Sequence, residues 1–193
     1  MSFSGPRLVL SIAIVAGACW LATVADGSGR TARTCAAAQV KSSLGPAISP
    51  MTGEHADLIE LTDRFTQSCT VDGYPRVSLE DRGGRLGFIY RDGGGPYVTT
   101  REPRRVTLAP GRHGYFLIAK YRCDGRVLHT VTSLRVSLPG AGSQTTVRLG
   151  RQGVSRLGLA YCARYPGDRP VDPGNRVSIS PVEPNVQATS AGP

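Results

Sequence analysis

Few of the residue patterns that announce a reaction occur in this chain. Its cysteines never form the close C-x-x-C pairs that gather zinc ligands, since Cys35, Cys69, Cys123 and Cys162 are separated from one another by dozens of residues, so no metal site is expected. A hydrolase elbow G-x-S-x-G is missing: the nearest approach, "GVSRLG" from Gly153 to Gly158, has the wrong spacing and reads as a loop entering a strand. The glycine run Gly93 to Gly95 leads into Pro96 and not into a lysine and a helix, which excludes a phosphate cradle of the nucleotide-binding kind. Glu80 and Asp81 are neighbours on a strand and point to opposite faces, so they make no glycosidase pair. The three histidines, His55, His113 and His129, belong to no catalytic motif. No catalytic residue and no cofactor are expected.

Lysine is also nearly missing. Lys41 and Lys120 are the only lysines, although Lys and Arg together number 23 against 14 Asp and Glu, for a net charge of +9. Arginine in company with abundant Gly, Ala and Pro fits the codon bias of a GC-rich genome. The sharper reading is that Arg101, Arg104 and Arg105, with Arg148, Arg151 and Arg156, form patches for anions, because a guanidinium fork matches phosphate and carboxylate geometry. Aromatic residues make up only 6% of the chain, which speaks against stacking on nucleic acid bases; an acidic polymer or a membrane surface is the expected kind of anion.

The N-terminus holds a single positive charge, Arg7, before the uncharged apolar stretch Leu8 to Ala25. Such a run enters a bilayer core at little cost, and "TVA" before Asp26 offers the small residues of a cleavage site. Residues 1–25 therefore read as a signal peptide or N-terminal anchor; "AGAC" before Trp20 also loosely resembles a lipoprotein box. Each alternative sends the folded part out of the cytoplasm, secreted or attached to the cell envelope. There the even set Cys35, Cys69, Cys123 and Cys162 should pair. Several connectivities are open, and the local one, Cys35 with Cys69 and Cys123 with Cys162, is the expected one. Cys69 is thus read as a staple and not as a nucleophile, each bridge contributing about 4 kcal/mol in the chain-entropy account.

Residues 26–34 are small and polar and read as a linker. Beyond them apolar residues fall in short runs punctuated by Gly, Pro and Asp, with no helical stripe of three turns. Period two is clearest in "RVSLED", with Val77 and Leu79 inward, and in "LRVSL", with Leu134, Val136 and Leu138 inward. "GYFLIAKY" is almost continuously apolar, as a central strand covered on both faces would be. "ADLIELT", "LGFIY", "RVTL", "TTVRL", "LGLAYC" and "RVSIS" complete an all-β, immunoglobulin-like sandwich of about 8 strands over residues 35–181. Asp124-Gly125 predicts a two-residue hairpin, "APGR" a second turn, and "RDGGGPY" a flexible loop. Residues 182–193, rich in Pro and poor in apolar groups, predict a disordered tail.

The order of Cys35, the strand "LIELTD", the corner "CTVDGYP" at Cys69 to Pro75, "VTLAPGRHGYFLIAKY" and a late cysteine pair resembles the actinobacterial exported family known as domain of unknown function 4232. Asp63 stands where that pattern usually has Asn. The resemblance implies an exported or envelope-attached β-sandwich without catalytic residues to carry over. In the corner, Gly73 relaxes the backbone, Tyr74 packs its ring against the sandwich, and Pro75 holds Tyr74 extended. The expected function is a non-catalytic envelope module acting structurally or through an extracellular partner. Alternatives are a binding module for anionic envelope polymer or lipid head groups, and an uncharacterised extracellular enzyme.

Overall fold

The computed structural model describes residues 32–149, 159–163 and 171–191. The export segment, most of the linker, Arg151 and Arg156 lie outside the described residues.

The strands are β1 (Arg33–Thr34), β2 (Val40–Leu44), β3 (Glu54–Asp63), β4 (Cys69–Val71), β5 (Arg76–Asp81), β6 (Gly84–Arg85) and β7 (Ile89–Asp92). After them come β8 (Val106–Leu108), β9 (His113–Tyr121), β10 (Val127–Thr130), β11 (Ser133–Ser137), β12 (Gln144–Arg148), β13 (Ala160–Cys162) and β14 (Arg176–Ile179). One short helix, α1 (Val186–Thr189), and a 3-10 turn at Pro173–Asn175 complete the described elements. The fold is all-β: a five-stranded sheet in the order β2-β3-β9-β14-β7 shares one core with a four-stranded sheet, β12-β11-β5-β6. Smaller sheets, β1-β4-β8 and β10-β13, flank them. The five-stranded sheet is mixed, because β7 joins β14 in parallel while its other pairs are antiparallel.

Period two places the core. Val77 and Leu79 of β5 lie opposite Val136 and Leu134 of β11, and all are buried against Ile59 and Leu61 of β3 and Phe116 and Ile118 of β9. Such directly opposed apolar pairs are what fix strand register, since a slip of one residue would turn every one of them to water. A cross-sheet bond adds to this: the Leu79 N–H donates to the Tyr90 hydroxyl at 2.8 Å.

The apolar run of β9 is explained by its second face. Leu117 and Ala119 point away from the main core and are covered by Val98, Tyr97, Ile48 and Val186. That cover comes from two segments expected to be loose. In the tail, Val182 and Glu183 are each 1% exposed, Glu183 exchanges backbone bonds of 2.8 and 2.7 Å with Tyr115, and Asn185 caps α1 by accepting from the Ala188 N–H. The tail is therefore a strap packed as far as residue 190, because the outer face of β9 would otherwise be left apolar in water. In "RDGGGPY", Gly93, Gly94 and Gly95 have φ of +65°, +62° and +83°, Gly93 and Gly94 are buried, and the Thr99 N–H donates to the Thr189 carbonyl at 3.1 Å. The glycines serve a fixed turn and not a flexible loop.

Two further expectations need correction. Asp124-Gly125 does not close a hairpin: β10 pairs with β13, Gly125 does not take positive φ, and both amides turn instead to the Asp172 carboxylate. The linker ends earlier than residue 34, since Arg33 and Thr34 pair in parallel with Cys69 and Thr70. "APGR" is the turn expected, with Gly111 at φ +69° and the Arg112 N–H donating to the Ala109 carbonyl at 2.9 Å.

Candidate functional site

Both disulfides have the local pairing. Cys35–Cys69 has a Cα–Cα distance of 4.8 Å and Cys123–Cys162 one of 5.4 Å. The first joins the chain start to β4, where the Cys35 N–H also donates to the Thr70 carbonyl at 2.9 Å. Just beyond it stands the Gly-Tyr-Pro corner. Gly73 has φ +111°, its carbonyl accepts from the Val182 N–H at 3.2 Å, and Pro75 is buried. Tyr74 is half-buried with its hydroxyl against Gly93, where an added Cβ would lie 2.9 Å away. Desolvation, with Glu102 and Asp92 nearby, pushes its phenol pKa up. The corner thus ties the strap and the glycine turn together.

The three arginines do not stand free as a group. Arg101 is exposed. Arg104 turns its guanidinium onto Glu183, with Nη2 3.0 Å and Nε 3.1 Å from the same carboxylate oxygen. Arg105 faces Asp72 at 3.7 Å. Glu183 is buried, and its other oxygen has no hydrogen-bond partner among the described residues, so Arg104 is needed to neutralise a carboxylate that anchors the strap. The histidines are dispersed: His55 and His113 lie at opposite ends of the β3–β9 ladder, opposite Lys120 and Thr62, while His129 of β10 is 2.8 Å from Asp81. Burial, with the charges of Lys120 and Arg122, pushes the His55 pKa down.

Sequence reasoning missed a buried polar cluster at the second disulfide. Asp172 is fully buried and accepts from the Gly174, Gly125 and Asp124 amides at 2.8, 3.0 and 3.4 Å. Asn175 brackets Cys162, accepting its N–H at 2.7 Å and donating to its carbonyl at 3.0 Å. Lys120, also fully buried, donates to the Tyr121 carbonyl at 2.7 Å. Burial lowers its pKa to about 8, against the opposing pull of Asp172. With no surface exposure, this lysine is not accessible to a substrate. The signal that could have found the cluster is "VDPGN", an Asp before Pro-Gly-Asn, which suits a capped turn.

A broad, open cleft with a polar and basic lining is found elsewhere. It lies between β2 and β12, the edge strands of the two main sheets, and has a volume of about 450 Å³. Ser42 and Thr145, whose hydroxyls are bonded at 2.9 Å, line it together with Lys41, Arg64, Ser143 and Gln144. The described residues lining it include no Asp or Glu. A smaller and more enclosed cleft of about 210 Å³ beside the Arg105–Asp72 pair has both signs of charge and no such bias.

No functionally described protein and no solved structure is significantly similar to the chain. A family profile does match, over residues 35–189, which spans both disulfides, the corner and all but the end of the packed strap. The chain belongs to that family, the domain of unknown function DUF4232.

Proposed function

We propose that this protein is an exported, non-catalytic module of the cell envelope, directed outward by its N-terminal apolar segment and acting by presenting a rigid β surface to an extracellular partner. The observation that carries the reading is the pair of disulfides: four of the five cysteines, all those beyond the N-terminal apolar segment, are joined as Cys35–Cys69 and Cys123–Cys162. Disulfides of this structural kind persist in oxidising compartments and are reduced in the cytosol.

The test is to produce the full chain in an exporting bacterial host, separate cytoplasm from envelope and medium, and map the peptides without reduction. The reading expects the chain outside the cytoplasm with Cys35 linked to Cys69 and Cys123 to Cys162. Recovery in the cytoplasm with free thiols overturns it.

A further inference from the structure

We propose that the cleft between β2 and β12 binds an anionic polyol chain, a polymer in which carboxylates or phosphates alternate with hydroxyl-bearing units. This deepens the reading of the protein as an envelope module by naming the chemistry of its partner.

Charge distribution is the first argument. Arg104, Arg105 and Arg135 are each turned onto a carboxylate, Glu183, Asp72 and Glu80 respectively. Lys41 and Arg64, like Arg82, Arg85 and Arg101, have no ion pair among the described residues, and they differ from those in lining one cleft together. Two uncompensated cations on one concavity attract an anion at a range set by the Debye length, about 8 Å at physiological salt. Lys41 is one of only two lysines, and the other is buried, so the exposed ammonium of this chain stands at the cleft.

The second argument is preorganisation. The Arg64 N–H donates to the Gln39 carbonyl at 2.9 Å, and the Phe65 N–H donates to the Asp63 carboxylate at 2.9 Å. Gln39 in turn donates from its side chain to Asp63 at 3.3 Å and to the Gln67 carbonyl at 2.8 Å. Asp63 is itself 2% exposed, so its charge is spent inside this network and not offered to the cleft. The backbone that carries Arg64 is fixed before any ligand arrives, which lowers the ordering cost of binding.

The third is the lining. Ser143, Thr145 and Thr146 offer hydroxyls and Gln144 an amide, groups that both donate and accept, as the hydroxyls of a polyol do. A volume of about 450 Å³ falls within the range of small-ligand sites and suits a short stretch of a longer chain.

Binding of the full disulfide-intact chain is measured by titration calorimetry at low salt and at 0.5 M salt against polygalacturonate, polyglycerol phosphate, neutral dextran and phosphatidylglycerol vesicles. Two double variants accompany it: K41Q with R64Q, and R82Q with R85Q as a control equal in net charge and exposed on another segment. The proposal expects one or both anionic polymers to bind at low salt, at least a tenfold loss in the cleft variant, less than a threefold loss in the control, and loss of most affinity at high salt. Whether the carboxylate or the phosphate polymer binds tells the two sources apart. Equal losses in both variants, binding of dextran as strong as that of the acids, or binding to vesicles alone overturns the cleft. If no polymer binds, the cleft proposal falls while the reading as an exported module stands; depolymerisation of a bound polymer would instead overturn the non-catalytic reading.

Discussion

Around Cys35–Cys69 the surroundings are mainly apolar: both cysteines belong to the main core together with Val40, Val71, Val106 and Leu108, with the buried Asp63 carboxylate 3.9 Å from the Cys69 sulfur as the one polar neighbour among the described contacts. Around Cys123–Cys162 they are polar and buried, with Asp172, Asn175 and Lys120 supplying the contacts. Cys162 is as enclosed as Cys69, at 1% exposure, yet lies outside the main apolar cluster. The difference teaches how each end fails. Apolar contacts are non-directional and lose stability in proportion to the atoms removed. A buried polar network is satisfied as a unit, and removing one member leaves its partners desolvated without compensation.

Asp172→Ala should be the largest perturbation, costing about 4 kcal/mol, because it strands three backbone amides and removes the counter-charge to Lys120. Val71→Ala, the matched deletion at the apolar end, should cost about 2 kcal/mol. Denaturant midpoints compare them, and equal shifts would break the distinction.

Next in size is a pH dependence that belongs to the polar end alone. Lys120 in the folded chain has a pKa of about 8, below its ordinary value of 10.5, so the folded state sheds this proton first. The penalty of burying the charge is complete below pH 8 and is relieved as pH rises from 8 to 10.5, by about 3 kcal/mol. Tyr74 and Tyr90, whose phenols are pushed up mainly by burial, oppose this above pH 10, so the comparison is with Lys120→Met. Whatever the offset at pH 7, where the variant also deprives Asp172 of its counter-charge, the parent chain should gain stability relative to Lys120→Met as pH rises from 8 to 10.5. A difference independent of pH would mean that Lys120 is not strained by its burial.

Glycines sharpen the contrast at a smaller scale. A Cβ at Gly174 would sit 2.7 Å from the Cys162 sulfur and 2.8 Å from the Arg122 carbonyl oxygen, so Gly174→Ala should cost about 2 kcal/mol through a clash with backbone that cannot move away. At Gly73 the nearest atom would be 3.6 Å away, and only the φ of +111° resists, for about 1 kcal/mol. Gly94 also has positive φ and is buried, so a side chain there should be costly as well. Thermal melts of the two alanine variants check the order.

The smallest expected effect joins the sheets at the cleft. Ser42→Ala and Thr145→Ala should each cost about 1 kcal/mol, and the double variant little more than either, since both remove one bond. Full additivity would show that the two hydroxyls do not depend on each other.

Legibility followed the range of the interaction. Val77, Leu79, Leu134 and Val136 announced their strands and inward faces because strand periodicity is local. The burial of both faces of β9 was legible in its unbroken apolar run, but what covers the outer face was not. The strap at Val182–Thr189 is weakly apolar by itself, and the glycine turn looks flexible in isolation. Each is ordered by the other. The candidate cleft was illegible for a similar reason: Lys41, Arg64 and Thr145 are far apart in the chain and meet only where two edge strands converge. Arg101, Arg104 and Arg105, adjacent in sequence and conspicuous there, were drawn apart by carboxylates at Asp72 and Glu183.

By itself, then, the sequence determined the all-β class, the set of four cysteines available to pair, and the alternating faces of the main strands, which depend on composition and on neighbours a few residues away, while the choice among the open connectivities was fixed by the fold. Tertiary structure alone decided that Asp124-Gly125 caps a buried carboxylate and forms no hairpin, that the C-terminal segment is a strap, and which cations stay unpaired. Those outcomes depend on which distant groups the packed fold brings within hydrogen-bond reach, and a one-dimensional pattern carries no record of that distance.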